Sequence, residues 1–196
     1  KGCEELCKKY DAMFSRTNEN SEISMINNAG GAAVEVSKET IKLIQKGIYY
    51  SEMSDGAFDI TIGSVSALWD FKSDAPAVPD AAAIADAVSH VNYENILIRD
   101  NTVRLLDPQA KLDVGAIAKG YIADRVRDYL EEEGIDHAMI DLGGNIVAMG
   151  SKPDGTDYNI GIQKPFDESG TPITSVKLSN KSIVTSGIYQ RYFEQD

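Results

Sequence analysis

Apolar positions recur at helical spacing from the first residues of the chain: Cys3, Leu6, Cys7, Tyr10, Met13 and Phe14 fall on one stripe, which predicts an amphipathic helix ending at Ser15. The next stretch, 15–27, is rich in Ser and Asn and too polar for a strand. Its Ile23 and Ile26 predict one helical turn within an ordered loop. Asn28-Ala-Gly-Gly31 breaks the chain, and Val34–Val36 reads as a short strand. Ser37 caps a helix running through about Met53 on Ile41, Ile44 and Ile48. Ser54-Asp-Gly56 stops that helix, and an apolar segment without clear period follows to Leu68-Trp-Asp-Phe71. After a surface loop from Asp74 to Pro79, Asp80 caps an alanine-rich helix to about Ser89.

The second half of the pattern changes character. Ile96–Arg99 and Thr102–Leu105 flank Asp100-Asn101, a two-residue connection that suits a tight hairpin. Ala118, Ile122, Val126, Tyr129 and Leu130 form the stripe of a helix that begins near Ala116, runs to Glu133 and stops at Gly134. Strands are expected at His137–Leu142 and Ile146–Met149 around Gly143-Gly144, then at Tyr158–Gln163, Thr174–Leu178 and Ile183–Thr185, with Asn180-Lys181 as a hairpin turn. Helices lie between hairpins and do not alternate singly with strands, so the expected fold is α+β with largely antiparallel sheet. No linker, low-complexity tract or internal repeat interrupts it.

With 196 residues and 42% hydrophobic content, the chain has enough apolar surface for one sizeable core or two small lobes. Charge narrows its partners. Nineteen Lys and Arg against 31 Asp and Glu give a formal net charge of -12 with no basic run, which argues against nucleic acid. A phosphate-bearing ligand would need backbone amides, a lysine or a divalent cation to offset that field. Cys3 and Cys7 share a helix face and read as small packing residues, since a metal site would need further ligands.

Candidate chemistry centres on Leu112-Asp-Val-Gly-Ala-Ile-Ala-Lys-Gly-Tyr-Ile-Ala-Asp124. A helix starting near Ala116 leaves its first amides unpaired, a place of partial positive charge that favours an anion. Gly115 would allow close approach and Lys119 would add a full charge; the alternative reading is that Asp113 merely caps the helix and the glycines permit close packing. The spacing is not that of a Walker loop. Asp141-Leu-Gly-Gly-Asn145, Ser54-Asp-Gly-Ala-Phe-Asp59 and Thr185-Ser-Gly187 are further glycine turns beside strand ends, and together they point to a shared cleft. His90 and His137 sit beside apolar residues and read as structural. No nucleophile elbow or zinc-protease helix occurs, so no catalytic side chain is assigned.

Taken in order, Ser15 with Ser21-Glu-Ile and Asn27, Asp55-Gly-Ala-Phe-Asp-Ile-Thr-Ile-Gly63 with Leu68-Trp-Asp-Phe71, Leu112 to Tyr121, Asp141-Leu-Gly-Gly-Asn145, Ile162-Gln-Lys-Pro165 and Thr185-Ser-Gly187 with Arg191-Tyr192 closely resemble the ApbE family, the FAD:protein FMN transferases. The resemblance is colinear over nearly the whole chain. It implies a tunnel-fold type of α+β architecture. It also implies Mg²⁺-dependent cleavage of FAD, with FMN joined through a phosphoester to a Thr or Ser of an acceptor flavoprotein and AMP released. Acceptors of that kind are flavin-carrying subunits of redox complexes and reductases. On matching positions, Ala57, Phe58 and Asp59 would line the flavin site, Asp113 and Lys119 would contact FAD, and the Ala116 carbonyl would bind magnesium. Thr17 stands where the family has a variable residue facing the flavin.

The same resemblance places the remaining magnesium ligands, an Asp and a Thr, beyond residue 196, so 1–196 is expected to be one flavin transferase domain truncated at its C-terminus and also at its N-terminus. Weak or absent turnover by this fragment is the expectation. Two other readings stay open: a domain that holds FAD without turnover, and an FAD pyrophosphatase giving FMN and AMP. Export and lipid anchoring at a membrane, through a segment preceding Lys1, are expected from the resemblance only.

Overall fold

The structure is a computed structural model that describes every residue except Lys72, Asp74, Glu168, Ser169, Ile188, Gln190, Arg191, Gln195 and Asp196. The start of the expected 74–79 loop and the Arg191 of the last motif therefore lie outside the described residues. The chain divides into two compact units: one comprises 7–118 with 193–196, the other 1–6 with 119–192.

In the unit built on 7–118, helix α1 (Gly2–Phe14) delivers Tyr10, Met13 and Phe14 into the core. The predicted turn is α2 (Glu22–Asn27), capped by Ser21, whose side chain accepts from the Ser24 amide. Strand β1 (Val34–Glu35) leads to α3 (Lys38–Met53), where Ser37 accepts from the Thr40 amide as the cap expected of it. A one-turn helix α4 (Gly63–Ser66) lies inside the segment that shows no period in the sequence, and α5 (Ala81–Ser89) starts on Asp80, which accepts from the Ala82 and Ala83 amides. A 3-10 turn, Tyr93–Asn95, precedes β2 (Ile96–Arg99) and β3 (Thr102–Leu105). These two form the expected hairpin with Arg99 opposite Thr102, and Asp100 takes the positive φ of 51° that the short connection requires. β1 joins the other edge of β3, giving the antiparallel order β1-β3-β2. Ile23, Leu43, Ile44, Ile60, Val103 and Leu112 are buried in this unit at 1% exposure or less.

Helix α6 (Gly115–Glu132) ends where Gly134 turns left-handed at φ 77° and the Ile135 amide reaches back to the Leu130 carbonyl. The unit built on 119–192 then holds two antiparallel sheets. The first, in the order β4-β5-β8, consists of β4 (Ala138–Asp141), β5 (Asn145–Met149) and β8 (Lys181–Val184). The second is the pair β6 (Tyr158–Gln163) and β7 (Pro172–Leu178). Ala148, Ile160 and Leu178 form a core between them, with Ile146, Tyr158, Val176 and Ile183 packed against it.

One expected connection is wrong. Asn180-Lys181 does not turn a hairpin, because β7 pairs with β6 while β8 pairs with β5. The Gly150 carbonyl, at the end of β5, accepts from the Asn180 amide at 2.9 Å and from the Ser179 hydroxyl at 3.0 Å. That anchor turns the chain from one sheet into the other. Among the described residues the strand pairings are antiparallel, and a parallel bridge joins Ile62 to Lys111.

Candidate functional site

Three segments meet around Leu112 and Asp113 in the 7–118 unit. Asn27, at the end of α2, hydrogen-bonds both backbone groups of buried Leu112: its Nδ2 donates to the Leu112 carbonyl at 2.9 Å, and its Oδ1 accepts from the Leu112 amide at 2.7 Å. The next amide, that of Asp113, donates to the Ile60 carbonyl at 2.7 Å. Gly63 makes this approach possible. A β-carbon there would lie 2.4 Å from the Lys111 carbonyl oxygen, closer than any real side chain tolerates. Ser64 completes the seam, its hydroxyl accepting from the Lys111 amide at 3.1 Å and donating to the Gln109 carbonyl at 3.2 Å.

The Asp113 carboxylate is thereby fixed at the start of α6. Oδ1 accepts from the Gly115 amide at 3.0 Å, and Oδ2 accepts from the Ser66 hydroxyl at 2.9 Å and lies 3.3 Å from Arg16 Nε. So Asp113 satisfies the first amide of the helix, and it also holds a guanidinium beside the helix start. Arg16 and Thr17 belong to a loop folded around Ser15, whose carbonyl accepts from the Ser21 and Ser24 hydroxyls. The Ser15 hydroxyl in turn accepts from the Thr17 and Asn18 amides at 3.3 and 3.2 Å. Thr17 itself is exposed.

The 54–63 turn is organised by Asp59. Its Oδ1 accepts from the Thr61 amide and hydroxyl at 2.7 and 2.6 Å, and its Oδ2 from the Tyr93 amide at 2.8 Å. The Thr61 hydroxyl accepts from the Asn92 amide at 2.9 Å, tying the turn to the segment before β2. Asp55 and Gly56 both take positive φ, 50° and 77°, which swings Ala57 into solvent and Phe58 into a half-buried position. Phe58 stands edge-on to Tyr50 at 6.4 Å between ring centres. Burial, then the carboxylates of Glu94, Glu52, Asp55 and Asp59, push the Tyr93 phenol above its ordinary range. This flank is thus aromatic and negative, whereas the start of α6 carries a guanidinium and helix amides.

In the other unit, the Thr185 amide donates to the Gly144 carbonyl at 2.9 Å, and the Gly144 amide to Asp141 Oδ1 at 3.1 Å. The structure therefore joins the four glycine turns in two pairs, 54–63 with 112–115 and 141–145 with 185. Lys119 is exposed on the second turn of α6. Ala116 lies in the first turn, where an α-helical carbonyl points along the axis toward the amide four residues on. Among the described residues no three His, Cys, Asp or Glu side chains gather as a metal site, so the described set does not fit Mg²⁺ by itself.

Arg16 and Ser66 are site residues that the sequence pattern does not single out. Arg16 is an ordinary polar residue in a polar stretch and Ser66 a serine in an apolar segment, and only the folded chain brings them to Asp113. Asn27 and Gly63 belong to the motifs, but their partners lie tens of residues away.

The architecture and this site define a class before they define a family: an α+β domain similar in structure to flavin transferases. It aligns with the ApbE protein of Thermotoga maritima at a TM-score of 0.90 and 32% identity, over 100% of this chain and 64% of that one. With the flavin transferase ApbE of Vibrio cholerae the TM-score is 0.82 at 27% identity, over 99% and 64% of the two chains. The ApbE family model matches residues 1–196, and the chain belongs to that family. Among its relatives are an FAD:protein FMN transferase of Klebsiella pneumoniae strain 342, 39% identical over 98% of this chain and 60% of the relative, and one of Treponema pallidum strain Nichols, 32% identical over 97% and 57%. The chain spans about 60% of the length of these curated relatives.

Proposed function

We propose that the protein carrying this chain transfers FMN from FAD to a Thr or Ser hydroxyl of an acceptor flavoprotein and releases AMP. In that step the hydroxyl oxygen bonds to the FMN phosphorus, the bond from that phosphorus to the bridging oxygen breaks, and AMP leaves with the bridging oxygen. The hydroxyl proton passes to solvent or to a base. The observation that carries the reading is the match of the whole chain to the ApbE family, whose relatives bear the name FAD:protein FMN transferase.

The site's physics supports the same division of labour. Phosphoryl transfer depends largely on positioning and on offsetting charge. The aromatic, negative flank of Ala57, Phe58 and Asp59 suits an uncharged flavin ring better than a phosphate. The start of α6, where Asp113 holds Arg16 beside the first turn, suits the diphosphate, and Lys119 and Thr17 are proposed as FAD contacts on the resemblance alone. A Mg²⁺ requirement belongs to this reading, resting on the family resemblance and on the charge of -12 that a diphosphate must meet. What the described side chains contribute is binding and orientation. Acceptors of the redox-subunit type, and a lipid-anchored location outside the cytoplasm, are proposed on the resemblance alone; fractionation of cells with an accessible-lysine label tests the location.

The decisive experiment incubates the protein with FAD, Mg²⁺ and an acceptor domain. Flavin fluorescence that stays with the acceptor on a denaturing gel, with AMP released in equal amount, is the expected result. Free FMN with AMP would indicate a pyrophosphatase instead, and bound FAD without either product a flavin-holding domain. Chelation of divalent cations is expected to abolish transfer.

A further inference from the structure

We propose that Arg16 is a positioning residue of this flavin site that acts through Asp113, by cancelling the carboxylate's charge where the diphosphate is to lie. The inference rests on the FAD reading above. Among the described residues three donors hold Asp113: the Gly115 amide, the Ser66 hydroxyl and the Arg16 guanidinium. Only the last carries charge. Without Arg16 the carboxylate keeps two hydrogen bonds and its place, but it presents an uncompensated negative charge at the start of α6. That charge would work against the partial positive charge of the helix's first amides, the very feature that favours an anion there.

Arg16 is well placed for such a task. The loop around Ser15 fixes its backbone through the Ser21 and Ser24 hydroxyls and the Thr17 and Asn18 amides, so the side chain starts from a held position. Stability gives little reason for the pair. The Arg16 side chain is 39% exposed and that of Asp113 20%, a setting in which ion pairs contribute little to folding. Electrostatics gives a reason, because the chain carries 31 acidic against 19 basic residues and its ligand is anionic.

The consequence grades with ligand charge: riboflavin has no phosphate, FMN one and FAD two. Equilibrium binding of all three flavins, followed by flavin fluorescence, is to be compared in the wild type, Arg16→Ala, Arg16→Lys and the double variant Arg16→Ala/Asp113→Asn, with thermal melts as a folding control. Arg16→Ala is expected to weaken FAD roughly tenfold, FMN less, and riboflavin under about twofold, with little change in melting temperature. Arg16→Lys restores most of the FAD affinity. Asp113→Asn added to Arg16→Ala also restores it, because the neutral amide no longer repels phosphate. Unchanged FAD binding in Arg16→Ala, an equal loss for riboflavin, or no recovery in the double variant would each overturn the proposal. A wild-type protein that binds no FAD would overturn the flavin reading itself, and this inference with it.

Discussion

Replacing Asn27 with Ala strips both backbone groups of Leu112, a residue with no exposed surface, of their partners at a single stroke. A buried backbone group left without a hydrogen bond costs about 1–3 kcal/mol, so Asn27→Ala is expected to lower stability by roughly 2–4 kcal/mol in urea denaturation. Flavin affinity should fall as well, since Leu112 immediately precedes Asp113, whose carboxylate holds the Gly115 amide and Arg16. Asn27→Asp is expected to do no better, because a carboxylate keeps the bond from the Leu112 amide but turns an acceptor toward the Leu112 carbonyl. Equal stability of Asn27→Ala and wild type would show that the chain around Leu112 is held by its neighbours instead. At this scale the motif residues Asp59, Asp113 and Asn27 are visible in sequence as polar letters beside glycines. Their jobs are not, because Ser66 reaches Asp113 across 47 residues and Asn27 reaches Leu112 across 85.

Helix α3 shows how an element can be read locally and yet be shaped from outside. Its start follows from Ser37, which accepts from the Thr40 amide, and Glu22 of α2 reinforces the cap by accepting from the Ser37 amide and from the Ser37 and Thr40 hydroxyls. Its glycine is a different matter. Helix propensity alone predicts that Gly47→Ala gains up to about 1 kcal/mol. In the folded chain the added β-carbon would lie 2.6 and 2.7 Å from Ile60 Cδ1 and Cγ2, and Ile60 is wholly buried, so it cannot swing aside. Overpacking of that kind costs about 1–3 kcal/mol and is expected to win, so Gly47→Ala should lower the melting temperature. A higher melting temperature would mean that Ile60 repacks freely. The displacement would also reach the site, since the Ile60 carbonyl holds the Asp113 amide.

Across the whole molecule the excess of acidic residues makes carboxylate protonation the main route to acid unfolding. Asp107 is a defined contributor. The hydrogen bond from His90, at 2.7 Å, and the Gln109 amide hold its carboxyl below the ordinary carboxylate range. A depressed native pKa means that the fold favours the ionised form. The resulting stability is fully present above the unfolded-state value of about 3.9 and is lost as pH falls through the lower native value. Asp107→Asn should therefore be less stable than wild type near neutrality, with the gap closing in the acid range. Chemical denaturation at pH 7 and near pH 3 measures it, and a gap that stays constant would exclude Asp107 as a source of the pH dependence.

Local signals in the sequence determined the helices other than α4, the Ser37 and Asp80 caps, the β2–β3 hairpin and the α+β class, because a cap, a turn or a 3.6-residue period is complete within a few neighbouring residues. The order of glycine-bounded motifs likewise determined the family. Tertiary structure alone decided that β8 returns to β5 and does not pair with β7, that Gly63 lets one backbone lie against another, and that Asp113 shares its charge with Arg16. Each of those depends on which distant segments the closing core brings within hydrogen-bonding distance, and no window of sequence contains both partners.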